Sequence, residues 1–447
     1  MPKNARRRAF ALGSGLLAAA LLLSGCSVGA NATTAGSVSQ SEIDKALKTP
    51  TTLTFWSWLP DIQKNIDLFE KQYPAIKVNV ENVGNGPAEF TKIRTALKAG
   101  KGAPDVVQLS TSFVSSFVAT NSLLDLAPYG ADKLKGDYLP GMWSQIVSGQ
   151  QIFAIPQDWG PVGTLYRNDI LAKAGISGFP TTWDEYATDA AAVKAKTGSY
   201  ITNFAPDPEI QVIPVLEQAG VQPFSYDGKK TVTVDVNSDK AKQALSYWQK
   251  LIQSNLVSVD PDFTDQWYQG LASGRYASWM AAAWGPLFLQ GTAKDTSGKW
   301  RAAELPKWSD ATPSVDAGGS SNAVLKTTKN PIAAAEFAKW INNDKSSTLV
   351  FATQESLFPT AKNVLTDPQF VEQKSAFFGG QQVNKLFGQI SQTIGVDQHL
   401  PYMDFVDSSF NDTLGKAIAA KGDLSAGLDA WQKALVDYGK QQGFTVK

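Results

Sequence analysis

The sequence predicts an α/β protein built as two lobes. Three observations carry this. Short β-branched and aromatic runs alternate with helical runs from residue 51 onward. The helical runs carry start and stop signals. Once an N-terminal leader is set aside, about 420 residues remain, more than a single hydrophobic core usually organises.

The elements follow in order. Thr51-Thr52-Leu53-Thr54-Phe55-Trp56 reads as a strand. Ile62, Ile66, Phe69 and Tyr73 fall at helical spacing, and Pro74 stops that helix. Ile76-Lys77-Val78-Asn79-Val80 alternates as a second strand. A helix over about 90–98 ends near Gly100, and Asp105-Val106-Val107-Gln108-Leu109 reads as a buried strand. Strand, helix, strand, helix, strand is the order of a parallel sheet with right-handed crossovers. Thr182-Trp183-Asp184-Glu185 forms a capping box opening a helix to about Lys196, closed by Gly198. Ala241, Leu245, Trp248 and Ile252 mark another helix. Asn330-Pro331 starts one more, burying Ala334, Phe337, Ala338 and Ile341, and residues 410–439 are mostly helical. Trp183, Trp248, Trp340 and Trp431 lie inside helices and are expected in the core.

The N-terminus reads as an export signal. Arg6, Arg7 and Arg8 precede an apolar run over 9–23 that ends at Leu23-Ser24-Gly25-Cys26. The run is shorter than the about 20 residues a bilayer span needs. Residues 26–50 are rich in Ser, Thr, Ala and Gly and are expected to form a flexible tether. The chain has 41 basic and 41 acidic side chains, and the leader carries four of the basic ones. With no basic stripe, nucleic acid is a poor partner. One histidine and one cysteine provide no cluster for zinc or iron, so no metal or cofactor is expected.

Leu23-Ser24-Gly25-Cys26 resembles a bacterial lipobox, which implies cleavage before Cys26, a diacylglycerol on its thiol and attachment to the outer face of the cell membrane. The body resembles the extracellular solute-binding proteins of ABC importers, in the branch that includes maltose-binding protein. The markers are Leu53-Thr54-Phe55-Trp56-Ser57-Trp58, Gly102-Ala103-Pro104-Asp105-Val106-Val107, Ile155-Pro156 followed by Leu165-Tyr166-Arg167-Asn168-Asp169, Pro180-Thr181-Thr182-Trp183-Asp184-Glu185, residues 274–280, and Gly318-Gly319-Ser320 ahead of Ala334-Ala335-Glu336-Phe337. The resemblance implies a periplasmic-binding-protein-like fold, two lobes joined at a hinge, with an interlobe ligand cleft. It implies crossings near Pro156 and Asp158, near Leu305-Pro306-Lys307, and in or after the helix of Phe337 and Ile341. The first lobe would then hold 51–157 and 309–343, and the second 158–308 and 344–447. It implies a monomer that captures a sugar or oligosaccharide by hinge closure and delivers it to a membrane permease, with no enzyme activity.

Ligands of open α/β sheets sit beyond the carboxyl ends of strands. That rule points to Trp56 and Trp58 after the first strand, Asn85 and more weakly Glu89 after the second, and Ser110 and Thr111 after the third. Asp158 and Trp159 follow at the hinge, Gly319 and Ser320 in the small turn, and Trp267, Trp284 and more weakly Asn203 from the second lobe, while Tyr402 resembles the late aromatic contacts of that family. Flat aromatic faces suit the C–H face of a pyranose, while Asp and Asn suit its hydroxyls. These loops read as mostly neutral, with one carboxylate. A core or lobe-packing role competes for every tryptophan in the set, and a hinge-stabilising role competes for Asp158. Two rivals stand beside the sugar reading: a secreted glycoside hydrolase or lyase, for which no flanking carboxylate pair is visible, and the same fold holding a non-sugar solute such as a polyamine.

Overall fold

The computed structural model describes residues 37–447, apart from positions 60, 85, 356, 396 and 397. The leader, Cys26 and Asn85 therefore lie outside the described residues. Residues 40–48, assigned above to the tether, instead form the helix Gln40–Lys48. Its cause is local: the Ser39 hydroxyl accepts from the Glu42 N–H, and the Glu42 carboxylate accepts from the Ser39 N–H at 2.8 Å. This helix packs on the helix Pro331–Asn343.

Twelve strands are assigned among the described residues. They are β1 (Thr51–Trp56), β2 (Ile76–Glu81), β3 (Val106–Ser110), β4 (Val147–Ser148), β5 (Gln151–Ile152), β6 (Ile155–Arg167), β7 (Phe224–Tyr226), β8 (Thr231–Val234), β9 (Ser278–Ala282), β10 (Trp300–Ala303), β11 (Asp316–Val324) and β12 (Thr445–Val446). The main sheet runs β2-β1-β3-β11-β6-β10, with β9 also on β6. As the strand–helix alternation predicts, β1 lies parallel to both β2 and β3. β11 returns antiparallel between β3 and β6.

β6 organises the molecule. Its first half, from Ile155 to Pro161, pairs with β11, and its second half, from Val162 to Arg167, pairs with β9 and β10. One strand thus leaves one ladder and enters another, and all thirteen of its residues are buried. Burial on both faces suits the apolar and small residues over 159–165, while Asp158 and Arg167 are buried against Ser320 and Asp169. Gly160 sits at the changeover. A Cβ there would lie 2.2 Å from the Ala317 carbonyl oxygen and 2.9 Å from that of Gly318. Those are backbone atoms and cannot swing away. Gly160→Ala is therefore expected to destabilise the protein by about 2–3 kcal/mol. Denaturant unfolding checks this, and an unchanged midpoint would mean that β6 and β11 do not approach this closely.

The helices fall where periodicity placed them: Gln63–Gln72, Gly86–Ala99, Trp183–Thr197, Asp239–Gln253 and Pro331–Asn343. The Thr182–Glu185 capping box forms, and Gly198 closes that helix at φ +77°. Asn330 makes no side-chain cap bond, so Pro331 alone marks that start. The helix Lys345–Gln354 packs against Gln63–Gln72, and Asn65 donates to the Ser347 carbonyl at 2.9 Å. Trp183, Trp248 and Trp431 are buried, while Trp340 is half-buried. Among the described residues no helix is long and apolar enough to cross a membrane.

Candidate functional site

The carboxyl ends of β1 and β3, with the start of β11, form one rim. A hydrogen-bond relay crosses it from strand to strand. Ser57 Oγ donates to Gln108 Oε1 at 2.7 Å, and the Trp58 N–H donates to the same oxygen at 3.2 Å. Gln108 Nε2 donates to Ser320 Oγ at 3.0 Å. Ser320 Oγ is bonded in turn to Gln157 Oε1, at 3.0 Å, and to Asp158 Oδ1. Thr111 and Ser321 share a hydroxyl bond of 2.9 Å. Register explains the assembly: Ser320 stands opposite both Ser110 on β3 and Asp158 on β6. Gly319 is opposite Trp159, and a Cβ on it would meet the Asp158 carbonyl at 2.7 Å. Its φ of +145° also favours glycine. Burial pushes the Asp158 carboxyl up, opposed by the bonds from Ser320.

Asp316, at the start of β11, accepts from Trp159 Nε1 at 2.9 Å and Gln145 Nε2 at 3.4 Å. Facing this rim are the turn Pro208–Val212, the aromatic group around Trp284, and the segment carrying His399 and Met403. Between them lies a cavity of about 20 Å³, with Ser112, Asp316 and Gly318 on one side and Glu209, His399 and Met403 on the other. That is room for about one water. A larger solute enters only if the two sides part.

The facing side is acidic. Burial, then Asp207, pushes Asp262 up to about 7. Burial, then Glu209, Asp207 and Asp404, pushes Asp407 up to about 8. Asp207 is itself raised by burial. Asp404 pairs with Arg94 of the helix Gly86–Ala99 at 2.7 Å, while Arg94 also donates to Ser116 Oγ at 3.0 Å. The arrangement offers many acceptors, and protonated carboxyls can donate as well. Among the described residues no group of three or more His, Cys, Asp or Glu could hold a metal ion.

Trp284 is the aromatic centre. Its Nε1 donates to the Ala317 carbonyl of β11 at 3.2 Å, linking the two sides. Phe263, Trp279 and Phe288 surround it at centroid distances of 5.9, 6.1 and 5.8 Å. Phe263 is held at φ +54°, an uncommon conformation for a bulky residue. Trp267 stands one ring behind, against Trp279 at 5.0 Å, and is 1 % exposed.

The structure brings together Trp58, Ser110, Thr111, Asp158, Trp159, Gly319, Ser320 and Trp284. The other described candidates have different surroundings. Trp56 donates to Glu81 at 3.0 Å and ties β1 to β2. Asn203 donates to the Asp260 carbonyl at 3.2 Å. Tyr402 packs against Tyr438 and Phe444, and its hydroxyl donates to the Leu435 carbonyl at 3.4 Å. Glu89 is fully buried, and neither carboxyl oxygen has a hydrogen-bond partner.

Sequence reasoning missed Phe263, Phe288, His399 and the carboxylates Asp207, Glu209, Asp262 and Asp407. The loops are not mostly neutral. A signal existed for Phe263, because it directly precedes Thr264, whose hydroxyl caps the helix Asp265–Ser273. The carboxylates converge from three distant segments, and no local pattern announces them.

Comparison with known proteins agrees with this architecture. The family model described as bacterial extracellular solute-binding protein matches residues 56–347. The lactose-binding protein of Rhizobium radiobacter is 25 % identical over 355 residues, covering 74 % of this chain and 80 % of that protein. Among solved structures, the ABC-transporter-associated binding protein of B. animalis subsp. lactis Bl-04, in complex with β-1,6-galactobiose, is 32 % identical. It covers 89 % of this chain and 99 % of its own, with a TM-score of 0.78. The galacto-N-biose/lacto-N-biose I-binding protein of Bifidobacterium longum, in complex with lacto-N-biose, is 25 % identical, covers 89 % and 98 %, and also has a TM-score of 0.78.

Proposed function

The chain belongs to the bacterial extracellular solute-binding proteins, and on that premise we propose that it is the extracytoplasmic sugar-binding component of an ABC importer. The observation that carries the sugar reading is Trp284, a platform flanked by Phe263 and Phe288 whose indole spans to β11. A pyranose stacks its C–H face on such a surface and gives its hydroxyls to nearby acceptors. The lactose and galactobiose named for the relatives support the same class.

The mechanism is hinge closure. Lobe 1 comprises 51–157 and 309–343, and lobe 2 comprises 158–308 and 344–447, with β6 as one crossing. Sugar contacts both rims only when they meet, so its binding favours the closed form that a permease recognises. Trp58, Asn85, Ser110, Thr111 and Trp284 are the proposed contacts, with Asp158, Trp159, Gly319 and Ser320 holding the rim. Trp56, Asn203, Trp267 and Tyr402 act through packing. A lipid on Cys26 would keep the protein at the outer face of the cell membrane.

A thermal-shift and tryptophan-fluorescence screen tests this, using β-1,6-galactobiose, lactose, lacto-N-biose and maltose, with spermidine as control. The expected result is a saturable response to at least one sugar, which is recovered intact. Consumption of the sugar would overturn transport in favour of hydrolysis. A response to spermidine alone would keep the fold and replace the ligand.

A further inference from the structure

The cavity between the two sides of the cleft is lined by two carboxylates, Glu209 and Asp316, and among the described residues by no lysine or arginine; His399 is the basic side chain on its wall. The Ser112 hydroxyl, across the cavity from Glu209, is 5 % exposed and has no hydrogen-bond partner. A buried hydroxyl left without a partner is costly, and a polar atom of a bound ligand would satisfy it.

Further carboxylates gather behind Glu209. Asp207 accepts from the Ile210 N–H at 2.8 Å and so starts the turn Pro208–Val212 that carries Glu209. Asp407 lies on the helix Met403–Asp412, which packs on that turn and whose first residue lines the cavity. One of the Asp407 carboxyl oxygens is buried with no partner. The charges acting on this group are those of other carboxylates: Asp207 acts on Asp262, and Glu209, Asp207 and Asp404 act on Asp407. Arg94, which reaches the group from the opposite lobe, is paired with Asp404 at 2.7 Å.

The carboxylates adjoin the aromatic platform on both sides of the cleft. Phe263, whose ring packs on Trp284 at 5.9 Å, directly follows Asp262. Ile210, next to Glu209, packs in the same apolar cluster as Trp284. On the opposite side Ala317, whose carbonyl accepts from Trp284 Nε1, directly follows Asp316. A sugar ring on the indole therefore has carboxylates within reach of its substituents. Crowding carboxylates in a half-buried place without a cation is costly, and burial with mutual repulsion pushes Asp262 up to about 7 and Asp407 up to about 8. An ammonium among them offsets that cost, because an opposite charge favours the ionised form. A sugar hydroxyl brings no charge with which to do so.

We propose that the cleft selects a sugar carrying a protonated amino group, with a ring on Trp284 and the ammonium among the carboxylates that gather around Asp207. The proposal rests on the sugar-binding reading above and narrows its substrate class from neutral to cationic sugars.

The test is calorimetric titration of the full-length protein, near neutral pH, with matched pairs: glucosamine and glucose, galactosamine and galactose, chitobiose and cellobiose, lactosamine and lactose. The N-acetylated form of each amino sugar controls for shape. In at least one pair the amino sugar is expected to bind about tenfold more tightly than its neutral partner, a gain that its N-acetylated form does not share. Glu209→Gln and Asp262→Asn keep the shape and remove the charge, and the ratio of amino to neutral affinity should fall about threefold or more in at least one of them. Thermal unfolding shows whether each variant is folded, and one folded variant is enough to decide. A ratio near one in every pair of the parent overturns the proposal while bound neutral sugar leaves the sugar-binding reading standing. A gain shared by the N-acetylated sugar overturns it as well, as does a ratio that persists in every folded variant. If no member of any pair binds, and none of the wider sugar panel, the sugar-binding reading fails and this proposal fails with it.

Discussion

Replacing Trp284 with alanine is expected to weaken binding of the sugar identified by the screen by about a hundredfold, with little change in the unfolding midpoint. The indole packs with Phe263 and Phe288 on one side and bonds across to Ala317 of β11 on the other. A tryptophan at such a junction is the kind of residue on which binding energy concentrates, with truncation costing about 2–4 kcal/mol. Its partial exposure keeps the folding penalty below that of a buried tryptophan. Trp56→Phe is the matched control. It removes only the bond to Glu81 and should leave sugar affinity within about twofold of the parent. If Trp284→Ala changes affinity less than threefold, the platform is packing and the ligand lies elsewhere on the rim.

The second large effect concerns Glu89. Its carboxyl is buried without a hydrogen-bond partner, and burial pushes it up to about 8, with Lys92 pulling weakly downward. In the unfolded chain a glutamate ionises near 4.3. The folded state therefore holds the proton more tightly. The stability this provides is complete below about pH 4 and is lost as pH rises through 8. Glu89→Gln removes the titration while keeping the shape. Its stability relative to the parent should be near zero or slightly negative at pH 4.5 and rise by about 4 kcal/mol at pH 8.5. Urea unfolding across that range checks the sign. A difference that does not depend on pH would show that the carboxyl ionises normally. Sugar titration of the same variant separates two roles: unchanged affinity places Glu89 in the fold, and reduced affinity places it on the ligand.

The parts of this fold legible in the sequence are those whose causes are local. The Thr182–Glu185 box needs only residues three apart, and it forms. The β1–β2–β3 order follows from strands separated by single helices, and the parallel pairing results. Gly319 and Ser320 were expected in a small turn, and instead lie inside β11, where the ladder sets them opposite Trp159 and Asp158. Residues 40–48 show the limit of averaging composition over 26–50, because Gln40–Lys48 carries charged helix formers and its helix starts where Ser39 and Glu42 satisfy each other's backbone N–H groups.

The sequence by itself determined the α/β class, the family, and the first-rim residues at strand ends. The class follows from alternation of side chains along single segments, the rim residues from the carboxyl ends of strands, and the family from the resemblance of motifs such as Gly102-Ala103-Pro104-Asp105-Val106-Val107. Only the tertiary structure decided that β6 passes from one ladder to another. It also decided that Asp207, Asp262 and Asp407 gather opposite Asp316, and that Trp284 rather than Trp267 or Trp56 stands at the junction. Those facts depend on pairings between separate segments, from Trp284 with Ala317 to Trp159 with Asp316. A tryptophan at 1 % exposure and one at a solvent-facing junction carry the same local pattern, and which face is covered is set by the segment that packs there.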